Sequence, residues 1–467
     1  MDKGKFSLLL LIASCASAQT LTTLANLPNG FGVALPAGLI QGTDGNFYGS
    51  TVYGGAYTYG MIFAVSPASM LSTVYNFCPS IGCADGAYPY AALVLGTDGN
   101  FYGTNAGGGA RGWGTIFKIT SSGVLTTLHS FCGSASCADG VYPTASLVQA
   151  ANGNFYGTTQ GDGTNTLGTI FRVTAAGQFT TLYTFCKVAG CPDGAAPTAG
   201  LIQATDGNFY GATKGGGIPG CGSATLQGCG TIFKVTAAGV LTTLHEFSVS
   251  DGIYPSGSLL QGTDGYLYGT TLYGGTYNYG TVFEITTSGS LTTLYSFCAS
   301  DYPCADGYSP SGGLAQGTDG NFYGATESGG ANYSGTLFSI TPAGSLATLH
   351  TFNGSDGWGP AVSPVQGTDG SFYGTTVQTV YSLNMGLGPF IKTVPTSGKA
   401  GSIVTILGTS LSSATKVSFA GTAATFTVIS PSEITANVPT GAKTGKVRVM
   451  LASGTSLVSN ISFRVTK

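Results

Sequence analysis

Asp44-Gly45-Asn46-Phe47-Tyr48-Gly49 returns six more times along the chain, beginning at Asp98, Asn152, Asp206, Asp264, Asp319 and Asp369. The fifth copy carries Tyr266-Leu267 and the seventh Ser371 as variants. Successive copies start 54, 54, 54, 58, 55 and 50 residues apart, a period that fits a propeller blade rather than a helical repeat. Each unit reads as four strands. In the third, Leu147-Val148-Gln149 is a short first strand ending at the Asn152-Gly153 turn, and 154–159 is the second. Residues 168–174 alternate apolar and polar at period two as the third strand, and 179–185 form the fourth. Asp-Gly and Asn-Gly between such runs mark hairpins, because both residues tolerate positive φ. Seven such units predict an all-β chain built around a seven-bladed β-propeller of four-stranded blades. The last unit stops at its third strand, Val380–Asn384, while Leu21–Leu27 is an orphan fourth strand; pairing the two closes the ring.

Composition agrees. The 467 residues include 76 glycines, 42% are hydrophobic and only 7% are charged, which excludes a disordered chain and disfavours a helical one. With 19 prolines and no Gly-X-Y period, collagen is excluded too. The net charge of −3 argues against a nucleic-acid partner. That charge is unevenly spread. Residues 19–387 hold 17 acidic and six basic side chains, whereas 388–467 hold one and eight. The basic C-terminal part is therefore expected to make electrostatic contact with an anionic envelope.

Residues 1–18 read as a signal peptide: Lys3 and Lys5, an apolar run from Phe6 to Ala13, and Ala16-Ser17-Ala18 for cleavage. Export follows, to the medium or the cell surface. Ile12-Ala13-Ser14-Cys15 also resembles a lipobox, but lipidation at Cys15 would crowd the closing strand a few residues on. No other segment has the roughly 18 unbroken apolar residues of a membrane span. Ten cysteines follow in close pairs: Cys78 and Cys83, Cys132 and Cys137, Cys186 and Cys191, Cys221 and Cys229, Cys298 and Cys304. That arrangement in an exported chain predicts disulfides within loops.

The Gly-Asn-Phe-Tyr-Gly-Thr…Gly-Gly…Gly-Thr-Ile-Phe pattern over about 21–385 resembles the GloVer tandem repeats of exported bacterial "choice-of-anchor" proteins. That resemblance implies surface display and transfers no catalytic residue. Residues 388–467 resemble an IPT/TIG immunoglobulin-like domain through Pro389, Pro395, Ser397-Gly398, Gly401, Ile406-Leu407-Gly408, Val417-Ser418-Phe419, Val438-Pro439 and Val447-Arg448-Val449. It implies a small β-sandwich serving as spacer or adhesion module. The expected organisation is a signal at 1–18, a propeller at 19–387 and a sandwich at 388–467.

Chemistry is sparse. His129, His245 and His350 occupy a fourth-strand position that elsewhere holds Tyr75, Tyr183, Tyr295 or Ala25, so they read as packing residues. Twelve aspartates serve the hexapeptide turns or precede glycine in the loops entering the next blade, where Asx-type bonding explains them. Asp162, Asp301, Glu246, Glu284, Glu327 and Glu433 are scattered and suggest no paired acid and base. The turn is similar to the Asp-box of sialidases, but the repeat region has only Arg111 and Arg172 for a substrate carboxylate. The repeat is similar also to that of streptogramin lyases, whose His and Glu near a metal have no counterpart in these outer-strand histidines. No catalytic residue, metal or cofactor is assigned; calcium would have to use the loop aspartates without an Asp-x-Asp-x-Asp-Gly run.

The distinctive feature is one face. Second-to-third-strand loops, here called hairpin loops, emerge on the same side as the fourth-to-first crossover loops. The hairpin loops are rich in Gly and Tyr, giving Tyr53, Tyr57, Tyr59, Tyr273, Tyr277 and Tyr279, with Arg111 and Trp113 in blade two; Trp358 lies on a crossover. Rigid aromatics on glycine-rich loops supply contact area at low entropic cost. These nine residues are the expected binding set, for a glycan or a protein. The alternatives are an extracellular carbohydrate-active hydrolase or a streptogramin-lyase-like enzyme at the channel mouth, and a purely structural surface component.

Overall fold

The computed structural model describes residues 19–27, 37–161, 167–221, 228–299 and 304–466. The expected signal segment with Cys15, and also Asp162 and Asp301, lie outside them.

Seven antiparallel blades form the ring. Blade three is typical, pairing Val148–Gln149, Phe155–Thr159, Thr169–Val173 and Phe179–Thr184 in sequence order. Blade five adds the short strand Ile253–Pro255 beside Leu267–Tyr273. Blade seven is completed from the other end of the chain: Thr20–Asn26 pairs with Thr379–Asn384. The expected closure is therefore present.

The hexapeptide explains the geometry residue by residue. Asp44 Oδ1 accepts the Asn46 N–H at 3.1 Å, holding the turn, and Asp44 Oδ2 accepts the Tyr48 hydroxyl at 2.8 Å. The tyrosine ring then packs on the next blade's phenylalanine. Tyr48–Phe101, Tyr102–Phe155, Tyr156–Phe209, Tyr268–Phe322, Tyr323–Phe372 and the closing Tyr373–Phe47 pairs have centroids 3.8–4.2 Å apart. Between blades four and five, Leu267 takes the place of the phenylalanine and packs in one cluster with Tyr210. Burial and the Asp44 bond both push the Tyr48 hydroxyl well above its ordinary pKa. The terminal glycine leaves room for a third-strand ring: a Cβ on Gly157 would lie 2.6 Å from Phe171 Cζ.

A second ring runs along the turn face. The inner-strand glutamine of one blade accepts the N–H that precedes the turn of the blade before it. Gln149, Gln203, Gln261, Gln316, Gln366 and Gln41 clasp Thr97, Ala151, Thr205, Thr263, Thr318 and Thr368 in this way at 2.8–3.0 Å. Blade two carries Leu95 where the others carry Gln, so Thr43 receives no clasp.

Residues beyond the last blade form an immunoglobulin-like sandwich. One sheet orders Lys392–Val394, Ile403–Leu407, Glu433–Asn437 and Phe426–Ser430; the other orders Thr422–Ala424, Ala414–Phe419, Val447–Leu451 and Ser456–Val458. Val404, Ile406, Val417, Phe419, Ile434 and Val449 are buried between them. The sandwich is seated on the turn face. Phe390 N–H donates to Thr368 O at 2.9 Å, Arg464 Nη1 to Thr205 O at 2.7 Å, and Lys392 Nζ to Gln366 O. Leu407 and Val394 pack in one cluster with Leu95. Lys392, Lys446 and Arg464 thus face the propeller, and of the expected envelope-facing basic residues Lys399, Lys416, Lys443 and Arg448 are exposed.

Candidate functional site

The opposite face carries the loops, and its backbone is knitted in an unusual way. Each of the six described crossovers runs through Asp-Gly into a residue held in the left-handed region directly before proline. Tyr88, Tyr142, Ala196, Tyr254 and Ser309 have φ of 60°, 57°, 52°, 60° and 57°, and Gly359 takes the place in blade seven. A residue before proline is restricted to extended conformations, and a non-glycine residue at positive φ costs about 1–3 kcal/mol. Two hydrogen bonds hold it there. The Tyr88 N–H donates to Tyr59 O of the preceding hairpin loop at 2.9 Å, and Tyr88 O accepts from Ala106 of its own blade at 3.0 Å. Tyr142 does the same between Trp113 and Gln160.

The crossover aspartates secure the outside of the same loops. Asp85, Asp193 and Asp306 accept the hydroxyls of Tyr75, Tyr183 and Tyr295; Asp139, Asp251 and Asp356 bond His129, His245 and His350, all at 2.8–3.0 Å. Each also accepts a backbone N–H, such as that of Cys132 or Ser248. Burial lowers the pKa of His129, offset in part by Asp139; Tyr183 is pushed up to about 12 by burial and by Asp193.

All five expected disulfides are present, each within one loop. Cys78 is bonded to Cys83, Cys132 to Cys137, Cys186 to Cys191 and Cys298 to Cys304, and these four staple crossovers. Cys221 is bonded to Cys229 in the hairpin loop of blade four. Cys137, Cys191, Cys229 and Cys304 are buried, whereas Cys83 is only half-buried. None of the ten cysteines lines either of the hollows described next, so they hold the loops and offer a ligand nothing there. Among the described residues no group of three or more His, Cys, Asp or Glu converges as a metal site would require.

Two hollows result. The first, of about 740 Å³ over blades one to four, is walled by Tyr53, Tyr88, Tyr90 and Tyr142. Gln160, Thr144 and Thr198 also line it, and no charged side chain does. Burial, then a hydrogen bond with Tyr53, pushes the Tyr90 hydroxyl up to about 12. The Thr144 and Thr198 hydroxyls are buried and have no hydrogen-bond partner. In blades five and six the matching hydroxyls are satisfied: Ser256 Oγ donates to Ser311 O at 3.0 Å and Ser311 Oγ to Ala361 O at 3.2 Å. The second hollow, of about 490 Å³ over blades five and six, is lined by Tyr273, Tyr277, Tyr279, Tyr308 and Glu327.

The expected binding residues are thus divided. Tyr53 enters the first hollow and Tyr273, Tyr277 and Tyr279 the second. Tyr59 and Trp113 border the first through ring contacts with Tyr88 and Tyr142, centroids 5.6 and 5.1 Å apart. Tyr57, Arg111 and Trp358 are exposed and line neither. Tyr88, Tyr90, Tyr142, Thr144, Gln160 and Thr198 were not among those expected. For Tyr88 and Tyr142 a signal was present, the Asp-Gly-x-Tyr-Pro crossover that recurs at Tyr254.

A family model described as the Gloeobacter/Verrucomicrobia repeat matches residues 12–225 and 191–387, and one described as the IPT/TIG domain matches 389–465. Among solved structures, a streptogramin B lyase is similar at 19% identity and a TM-score of 0.53, over 78% of this chain and 97% of that one. The extracellular domain of a hybrid two-component system of B. thetaiotaomicron is similar at 10% identity and a TM-score of 0.51, over 95% of this chain and 57% of that one. At these identities the likeness is one of fold. No curated protein matches the sequence.

Proposed function

The chain belongs to the Gloeobacter/Verrucomicrobia repeat family, with an IPT/TIG domain behind the repeats, and from that premise we propose an exported binding protein whose loop face takes up an uncharged saccharide. The observation that carries this reading is the pair of unpartnered hydroxyls, Thr144 and Thr198, in a tyrosine-walled hollow without charge. A buried hydroxyl left unpaired costs about 1–3 kcal/mol. Both residues line one ligand-sized hollow, and a ligand met by a rotation of either side chain would supply the missing partners. Sugars offer what this wall asks for: hydroxyls for Thr144, Thr198 and Gln160, and apolar C–H faces for the tyrosines.

Other features are in keeping with it. The strained crossover residues hold the tyrosines in place before any ligand arrives, which lowers the ordering cost of binding. The three histidines are engaged by aspartates at the outer strands and line neither hollow. Five disulfides suit an oxidising compartment outside the cytoplasm. The exposed Lys399, Lys416, Lys443 and Arg448 would add a salt-sensitive attraction to an anionic surface.

A glycan array probed with the full mature chain, beside a variant carrying Tyr53→Leu and Tyr142→Leu, tests the proposal. Uncharged oligosaccharides should be retained by the wild type and lost by the variant. Retention by both, or by neither, removes the reading.

A further inference from the structure

We propose that the second hollow is a separate site for an organic cation, an alkylammonium group held against Tyr277, Tyr279 and Tyr308 by the Glu327 carboxylate. Tyr277 and Tyr279 are exposed, and Tyr279 and Tyr308 stand edge to face with centroids 5.4 Å apart at 61°. Such rings present negative π faces to a ligand, and a cation within about 6 Å of a centroid is attracted to them. Glu327 adds a full charge to the same wall. The ion pairs among the described residues are three His–Asp pairs, so no described cation of this chain neutralises it. Desolvation alone shifts its carboxyl, upward, with no hydrogen bond or neighbouring charge to offset it.

The molecule contains its own control. Blade one repeats the loop almost residue for residue, Tyr53-Gly54-Gly55-Ala56-Tyr57-Thr58-Tyr59-Gly60 against Tyr273-Gly274-Gly275-Thr276-Tyr277-Asn278-Tyr279-Gly280. What each loop faces differs. Ala106 and Glu327 hold the same place, each donating its N–H to the carbonyl of the residue before proline, Tyr88 or Ser309. One tyrosine hollow is therefore neutral and the other anionic, on a common scaffold. The chemistry is also used internally, since at the same place in blade four Lys214 Nζ sits 5.7 Å from the Tyr254 ring centroid.

An alkylammonium could be a permanently methylated amine or the protonated amine of an amino sugar, and the two are told apart by the probe. Full chain is titrated calorimetrically with tetramethylammonium chloride and, separately, with glucosamine hydrochloride, at fixed ionic strength. Saturable binding of one of them is expected, weakened about tenfold in Glu327→Gln and similarly in Tyr277→Leu. Binding of the first probe assigns a methylated amine, and binding of the second alone a protonated one. Three results overturn the proposal: no saturable binding of either probe, unchanged affinity in Glu327→Gln, or equal displacement by sodium. Dependence on Glu327, which lines only the second hollow, separates this signal from any uptake of glucosamine by the uncharged one, so failure here leaves the saccharide reading standing.

Discussion

Ser432 Oγ of the sandwich donates a 2.6 Å hydrogen bond to the Thr43 carbonyl, at the one turn of the propeller that no glutamine clasps. Leu95 stands where Gln would, and Leu407 and Val394 cover it. Glu433, next in sequence, is desolvated at the same spot, and a hydrogen bond with Thr43 partly offsets the resulting rise in its pKa. The sandwich thus takes hold of the turn that lacks a clasp, through the Thr43 carbonyl rather than its N–H. Ser432→Ala should cost about 1 kcal/mol, the worth of a typical hydrogen bond. Protease sensitivity of the segment between Asn384 and Phe390 should rise with it. Equal melting and cleavage in wild type and variant would show that the contact holds nothing.

Lys392 makes the same junction depend on pH. Burial lowers its pKa to about 8, with Asp369 pulling weakly the other way. The folded state therefore sheds this proton before the unfolded state does, so its contribution to stability rises as pH climbs from about 8 toward 10. The gain is at most about 3 kcal/mol. Buried tyrosines with raised pKa values act oppositely near pH 10 and above, so the comparison belongs between pH 8 and 9.5. Denaturant midpoints of wild type should rise over that interval relative to Lys392→Met. Parallel curves would contradict it.

The glycine that ends the hexapeptide is a matter of space. In Gly157→Ala the new methyl meets Phe171, and overpacking of this kind costs about 1–3 kcal/mol. Adding Phe171→Leu should recover part of the loss, because the obstructing Cζ is gone. Additive penalties in the double variant would assign the glycine to backbone freedom instead.

Disulfides are expected to be dispensable one at a time. The crossovers closed by Asp251 and Asp356 make the same aspartate bonds without any cysteine, through Ser248 and Asn353. A double variant with Cys132→Ser and Cys137→Ser should therefore fold, with stability lower by about 2 kcal/mol. Loss of the β-sheet circular dichroism signal would refute this.

Most of the fold was legible because it is local and repeated. Turn chemistry, strand alternation and the missing fourth strand of the last unit sit within a few residues of one another, and Thr20–Asn26 closes the ring as its pattern required. The cysteine pairs were legible for the same reason, since Cys186 and Cys191, like the others, sit on one short loop. The site was legible only in part. Tyr53 and Tyr273 stood out as loop aromatics, whereas Thr144 and Thr198 look like any other polar residue after proline. They matter because Ser256 and Ser311, at the same place, find carbonyls and they do not, a contrast that exists only in three dimensions. Docking of the sandwich was equally hidden. Its one sequence trace is Val94-Leu95 among six copies ending in Gln, a small irregularity until Ser432 is seen beside Thr43.

The saccharide site is tested most directly by replacing both hydroxyls with methyls. Thr144→Val combined with Thr198→Val keeps the shape of the wall and removes two unpaired buried polar atoms, so stability should hold or rise. Calorimetric titration with uncharged oligosaccharides should show saturable one-to-one binding to the wild type, weaker by about tenfold or more in the double variant. Identical affinities for the two proteins, or no saturable binding to the wild type, would contradict the account.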